Sequence, residues 1–88
     1  MPVISYFFGL YVRMYFDDHL PPHFHVEYQG AEALVAIETG ELVEGRLPRK
    51  AAKLVKDWCA DHQDELWDNW QRAVALQPLR RIPGADND

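Results

Sequence analysis

Three of the chain's four histidines and two adjacent carboxylates crowd into one run, Asp17-Asp18-His19-Leu20-Pro21-Pro22-His23-Phe24-His25. Imidazoles and carboxylates bind divalent transition metals and move protons near neutral pH. The same groups also serve as ordinary turn and surface residues, with Asp17 or Asp18 capping backbone amides beside an exposed polar strand. Spacing favours the first use at one point. On a strand, His23 and His25 at i and i+2 place their Cβ atoms roughly 6.5–7 Å apart on one side, close enough for both rings to meet one ion. A third ligand would come from His19, Asp18, Asp17 or Glu27, giving a centre for a divalent metal such as zinc with a coordination position left open, as in catalytic zinc sites.

A metal-free use of the same side chains makes His23 and His25 an acid and a base, with Arg13 on the neighbouring strand neutralising an anion. That combination suits phosphodiester chemistry and describes a small nuclease-like toxin. His62 and Cys59, further along, read as a boundary histidine with a local partner and as core filler.

The residues around this run must position it. Val3 to Phe8 and Leu10 to Phe16 are rich in aromatic and β-branched residues, with Gly9 as a bend between two strands. Leu10, Val12, Met14 and Phe16 share one face of the second. The diproline interrupts pairing, so 17–22 is a loop. From His23 to Tyr28 the alternation is clean: Phe24, Val26 and Tyr28 form a core face, and His23, His25 and Glu27 point the other way, toward solvent, metal or partner. Gln29-Gly30 and Thr39-Gly40 mark turns around a strand over 31–38, and a short strand follows near Leu42-Val43.

Pro48 suits a first helical position, and from there Ala51, Ala52, Leu54, Val55, Trp58, Cys59, Leu66, Trp67, Trp70, Ala73 and Val74 recur at helical steps. Asp61, followed three residues later by Asp64, resembles a fresh cap and marks a kink or restart near His62; Pro78 stops the helix. Trp58 and Trp70 match the core stripe, while Trp67 falls beside it. The expected fold is therefore α+β: a small antiparallel β meander of four to five short strands packed on a long C-terminal amphipathic helix. One domain spans 1–83, and 84–88 reads as a disordered acidic tail.

The formal charge of −5, from nine Lys plus Arg against fourteen Asp plus Glu, argues against broad attraction to phosphate backbones. Yet Arg46, Arg49, Lys50, Lys53 and Lys56 lie within eleven positions. They are the segment a nucleic-acid-binding regulator would use, set against the plainer reading of a solvated helix of mixed charge. A single cysteine precludes an internal disulfide. Neither a signal-like leader nor an apolar run of bilayer length is present, so the expected compartment is the cytoplasm, away from membranes.

Met1-Pro2-x-Ile4-Ser5-x-Phe7, then Arg13-Met14-Tyr15-Phe16-x-Asp18-His19-x-Pro21-Pro22-His23-Phe24-His25-Val26-x-Tyr28, then Gly45-x-Leu47-Pro48 with the Trp58 helix, resemble a small bacterial domain-of-unknown-function family numbered 4160. The resemblance runs over roughly positions 1 to 83, and its His-x-Pro-Pro-His-Phe-His core is its most specific part. It implies a short bacterial protein, often encoded beside another small protein in arrangements like those of toxin–antitoxin pairs. A protein partner encoded nearby is accordingly expected, with self-association as the other arrangement. The resemblance brings no catalytic or ligand residues with it.

Overall fold

A computed structural model describes residues 2–86. Five antiparallel strands, β1 (Val3–Phe7), β2 (Leu10–Arg13), β3 (His23–Tyr28), β4 (Ala31–Ala36) and β5 (Leu42–Gly45), form one sheet in sequence order. The fold is α+β, as expected. Two turns set the meander: Phe8-Gly9 and Gln29-Gly30 each place two successive residues at positive φ, the twist that lets a two-residue connection join neighbouring strands. Phe8 thereby becomes a turn residue rather than the end of β1.

The second strand is shorter than the aromatic run predicts. It ends at Arg13, and although the Met14 N–H still reaches the Pro2 carbonyl at 3.3 Å, the chain then leaves the sheet and takes positive φ at Asp17. Leu10, Val12 and Met14 are buried as expected, whereas Phe16, now on the departing segment, is exposed.

The helical region corrects the sequence reading. Instead of one long helix there are two, α1 (Arg49–Asp61) and α2 (Gln63–Val74). They are separated at His62, whose φ of −125° and ψ of 31° lie outside helical values. Asp61 is the last residue of α1 rather than a cap. The break is held by bonds to groups it would otherwise orphan: the Cys59 carbonyl accepts the His62 N–H at 3.3 Å and the Gln63 side-chain amide at 3.1 Å. The same amide donates to the Ile37 carbonyl at 2.7 Å, so the break is also tied to the end of β4. Pro48 lies one position before α1, and α2 ends at Val74, well ahead of Pro78.

The inner sheet face carries Leu10, Val12, Phe24, Val26, Ala33 and Val35 against Val55, Trp58, Leu66 and Trp70. Trp58 anchors this core, its ring 5.1 Å from Phe7 and edge-on to Phe24 at 5.8 Å between centroids. Trp67 is half-buried, as its position beside the stripe predicts. The outer face bears cross-strand rows instead of helices. Tyr6, Tyr11, Glu27 and Glu32 form one; Arg13, His25, Leu34 and Glu44 form the next.

The C-terminal segment returns to β1. The Ile82 N–H bonds the Ile4 carbonyl at 2.7 Å, and the buried Asn69 side chain clasps Arg80, donating to its carbonyl and accepting its N–H. Of the stretch read as a tail, Gly84 bridges to the sheet edge and the Asp86 carboxylate accepts the Phe8 N–H at 3.0 Å; residues 87 and 88 lie outside the described residues.

Candidate metal centre

The expected sidedness of β3 holds. Phe24 and Val26 are in the core and His25 and Glu27 are on the outer face, since side chains alternate along a strand. The accessibility of His23 does not follow that expectation: its side chain is 1% exposed. The loop between β2 and β3 folds back over it, fastened by the Asp17 N–H to the Ala73 carbonyl at 3.2 Å and by the Ile37 N–H to the Pro22 carbonyl at 3.1 Å. The His19 ring stacks on His23 at 4.9 Å, and the Trp70 ring lies 5.6 Å away on the other element.

That fold-back brings Asp18 onto the two histidines of β3. Asp18 Oδ2 lies 3.0 Å from His23 Nε2 and 2.9 Å from His25 Nε2, and one ligand atom from each of the three residues falls within 4.8 Å of the others. Around a tetrahedral ion with bonds of about 2.0–2.1 Å, ligand atoms stand roughly 3.3 Å apart, so small rotations would fit the trio to one cation.

His23 shows which of its nitrogens is free to bind. Its Nδ1 sits 2.7 Å from the Pro21 carbonyl, which can only accept, so Nδ1 carries a hydrogen. In the neutral ring Nε2 then presents a lone pair. This nitrogen is buried and has no hydrogen-bond partner, despite the nearby Asp18 oxygen, because that oxygen lies off the direction in which the ring nitrogen bonds. A backbone carbonyl fixing one imidazole nitrogen while the other stays bare is the arrangement by which proteins orient metal-ligating histidines. His25 Nε2, by contrast, donates its hydrogen to the Asp18 carboxylate, a hydrogen that a bound metal would displace, and the Tyr15 ring packs edge-on against its imidazole at 4.3 Å.

The electrostatics of Asp18 are a balance. Burial works to raise its carboxyl, but the hydrogen bond with His25, the His19 backbone N–H at 2.8 Å and the neighbouring imidazoles outweigh it and hold the group below its ordinary value. The carboxylate is therefore ionised near neutral pH.

The remaining expected ligands are not part of this trio, although the His19 ring lies against it. Glu27 is drawn away by Arg13, whose Nη1 meets Glu27 Oε1 at 2.6 Å. His19 is exposed; its Nδ1 faces the Leu20 carbonyl at 3.3 Å, and its Nε2 stands 3.8 Å from the other Asp18 oxygen. Two members of the basic segment are in ion pairs on the helix surface, Lys53 with Asp57 and Lys56 with Glu41. Sequence reasoning passed over the Pro21 carbonyl, because a diproline reads as an interruption of pairing rather than as an acceptor for a histidine. The Tyr15 wall was missed because that residue was assigned to a strand.

A family model described as "Domain of unknown function (DUF4160)" matches residues 9–71. No curated protein and no solved structure matches the chain. Among the described residues, no helix is long and apolar enough to cross a membrane.

Proposed function

The chain belongs to the DUF4160 family, and from that premise we propose that it is a divalent-metal-binding module in which Asp18, His23 and His25 hold the ion and a protein partner completes its action. The observation that carries the metal reading is the buried Nε2 of His23, without a hydrogen-bond partner, its ring fixed by the Pro21 carbonyl and a carboxylate oxygen 3.0 Å to one side. A buried lone pair without a donor is costly, and a cation would satisfy it.

Zinc, nickel and manganese titrations followed by the histidine ring NMR signals and by calorimetry test this directly. One equivalent of zinc should shift the His23 and His25 signals, and His25→Ala and Asp18→Asn should each weaken binding at least tenfold, the usual scale for a lost ligand or its support. Unmoved His23 and His25 signals at stoichiometric metal would end the proposal. The metal-free nuclease reading has less support, since Pro21 occupies one nitrogen of His23 and the ring is buried.

The partner half of the proposal draws on the toxin–antitoxin-like gene pairing that the family resemblance implies and on one surface feature. Phe16 and Leu20 on the loop, and Val74 and Leu76 at the end of α2, are exposed large apolar side chains on segments joined by the Asp17–Ala73 hydrogen bond. Co-purification with the product of the adjacent gene, lost on Phe16→Glu, is the expected result; a single uncomplexed species at every concentration contradicts it.

A further inference from the structure

We infer that the ion held by Asp18, His23 and His25 takes an exogenous oxyanion, a carboxylate or a phosphate, as its next ligand, with Arg13 as that oxyanion's second anchor. This rests on the metal reading above and extends it to a ligand class.

Among the described residues the cluster supplies three ligand atoms, one short of a closed tetrahedral set. Of the nearest further candidates, Glu27 is paired with Arg13, and the exposed His19, whose Nε2 stands 3.8 Å from the other Asp18 oxygen, lies outside the set of three. A divalent ion with one carboxylate and two neutral imidazoles keeps a net positive charge, which favours an anion over a neutral molecule in the position that remains.

Geometry indicates the side from which that anion would come. His23 closes the back of the cluster, while the side chain of His25 is 25% exposed, so the accessible flank lies along β3 on the outer sheet face. Arg13 is the residue directly paired with His25 across the β2–β3 ladder. Side chains of such pairs leave the sheet about 5 Å apart and on the same face. The guanidinium is positioned from two sides, by Glu27 at Nη1 and by the Tyr11 ring at 5.2 Å, yet its pair with Glu27 uses a single contact. A guanidinium has five donors in a fork that suits a two-oxygen anion, and the anchoring role would draw on those that the single contact with Glu27 leaves free, with the head group turning from the Tyr11–Glu27 row toward His25.

The test uses the full chain loaded with cobalt(II), whose visible absorption reports its coordination. Acetate and inorganic phosphate are titrated separately, with cobalt stoichiometry measured for every variant. Saturable spectral change with at least one anion is expected, and the tighter arm tells whether the site prefers carboxylate or phosphate. Arg13→Met should weaken that anion by about tenfold, the scale of a lost charge-assisted hydrogen-bond pair. Glu27→Gln, which frees the guanidinium, should strengthen it. These opposite directions separate an anion anchor from a residue that merely supports the fold.

Bound cobalt whose spectrum ignores both anions overturns this inference while leaving the metal reading intact; equal anion affinity in wild type and Arg13→Met overturns it as well. Failure to bind cobalt at all overturns both.

Discussion

Asp18 and His25, seven residues apart with the diproline between them, meet at 2.9 Å between Oδ2 and Nε2. The contact exists because the loop folds back on β3, and it has a consequence that needs no metal. The Asp18 carboxyl is held below its ordinary value in the folded chain, so its contribution to stability is present above the unfolded value and is lost as pH falls through the folded one. Asp18→Asn in the metal-free protein should cost about 1–2 kcal/mol at neutral pH. Urea denaturation at successive pH values should show that difference shrinking once the pH falls below the ordinary carboxylate range; a constant gap would assign it to packing instead.

Gly45 closes β5 at a φ of +81°, and a Cβ there would stand 2.8 Å from the Ala33 Cα and press on the Glu32 carbonyl as well. Both obstacles are backbone of the adjacent strand and cannot rotate away. Gly45→Ala should therefore destabilise by roughly 3 kcal/mol or more, from the combined effect of left-handed backbone and steric overlap. Gly30→Ala is the useful contrast: its φ is similarly positive, but nothing lies within 4 Å of the added carbon, and the penalty should be near 1 kcal/mol. Similar losses at both positions would show that backbone conformation, and not overlap, sets the cost.

How far these features could be read in advance differs from place to place. The boundaries and facing of β3 were legible because Phe24, Val26 and Tyr28 alternate without interruption against His23, His25 and Glu27. The burial of His23 was not, since it comes from the Asp17–Ala73 and Ile37–Pro22 hydrogen bonds, which join segments far apart in sequence. Phe16 went wrong for a related reason. Its parity was right for a strand, but the strand had already ended at Arg13. The interruption near His62 was foreseen in place but not in kind: the Asp61-x-x-Asp64 spacing suggested a side-chain cap, whereas the chain uses Gln63 to bind the Cys59 carbonyl at the break. Asn69 gave no signal at all, because a polar residue among helical apolar ones usually points to water.

Cys59 should be inert while the protein is folded. Its thiol is buried beside the Ile37 carbonyl, and burial raises its pKa, an effect the Gln63 amide only partly offsets. The folded state thus favours the neutral thiol. That contribution is complete below the unfolded thiol's pKa and is lost as pH rises through the higher folded value. Iodoacetamide near pH 9, about where an ordinary thiol ionises, should label the chain rapidly in strong urea and slowly without it, as read by mass spectrometry. Equal rates would place the sulfur at the surface.

Asn69 is fully buried, with both ends of its amide bonded to the backbone of Arg80 at 2.9 and 2.8 Å. Asn69→Ala leaves a carbonyl and an N–H without partners and should cost about 2–3 kcal/mol. Amide hydrogen exchange should then accelerate at Ile82, whose N–H bonds to Ile4, more than in β3. Uniform acceleration across the sheet would mean that the C-terminal segment is not held locally by this residue.

The return of that segment to β1 also settles how the sheet presents its margins. With residues 82–84 lying along the first strand, β5 is the margin still offering main-chain groups for pairing, and three of its four residues are exposed. A meander unsealed on both flanks could add copies without end, as growing fibrils do. Sealed on one flank, two such chains that joined strand to strand would each use up the border left vacant among the described residues, and assembly along that direction would halt at a pair.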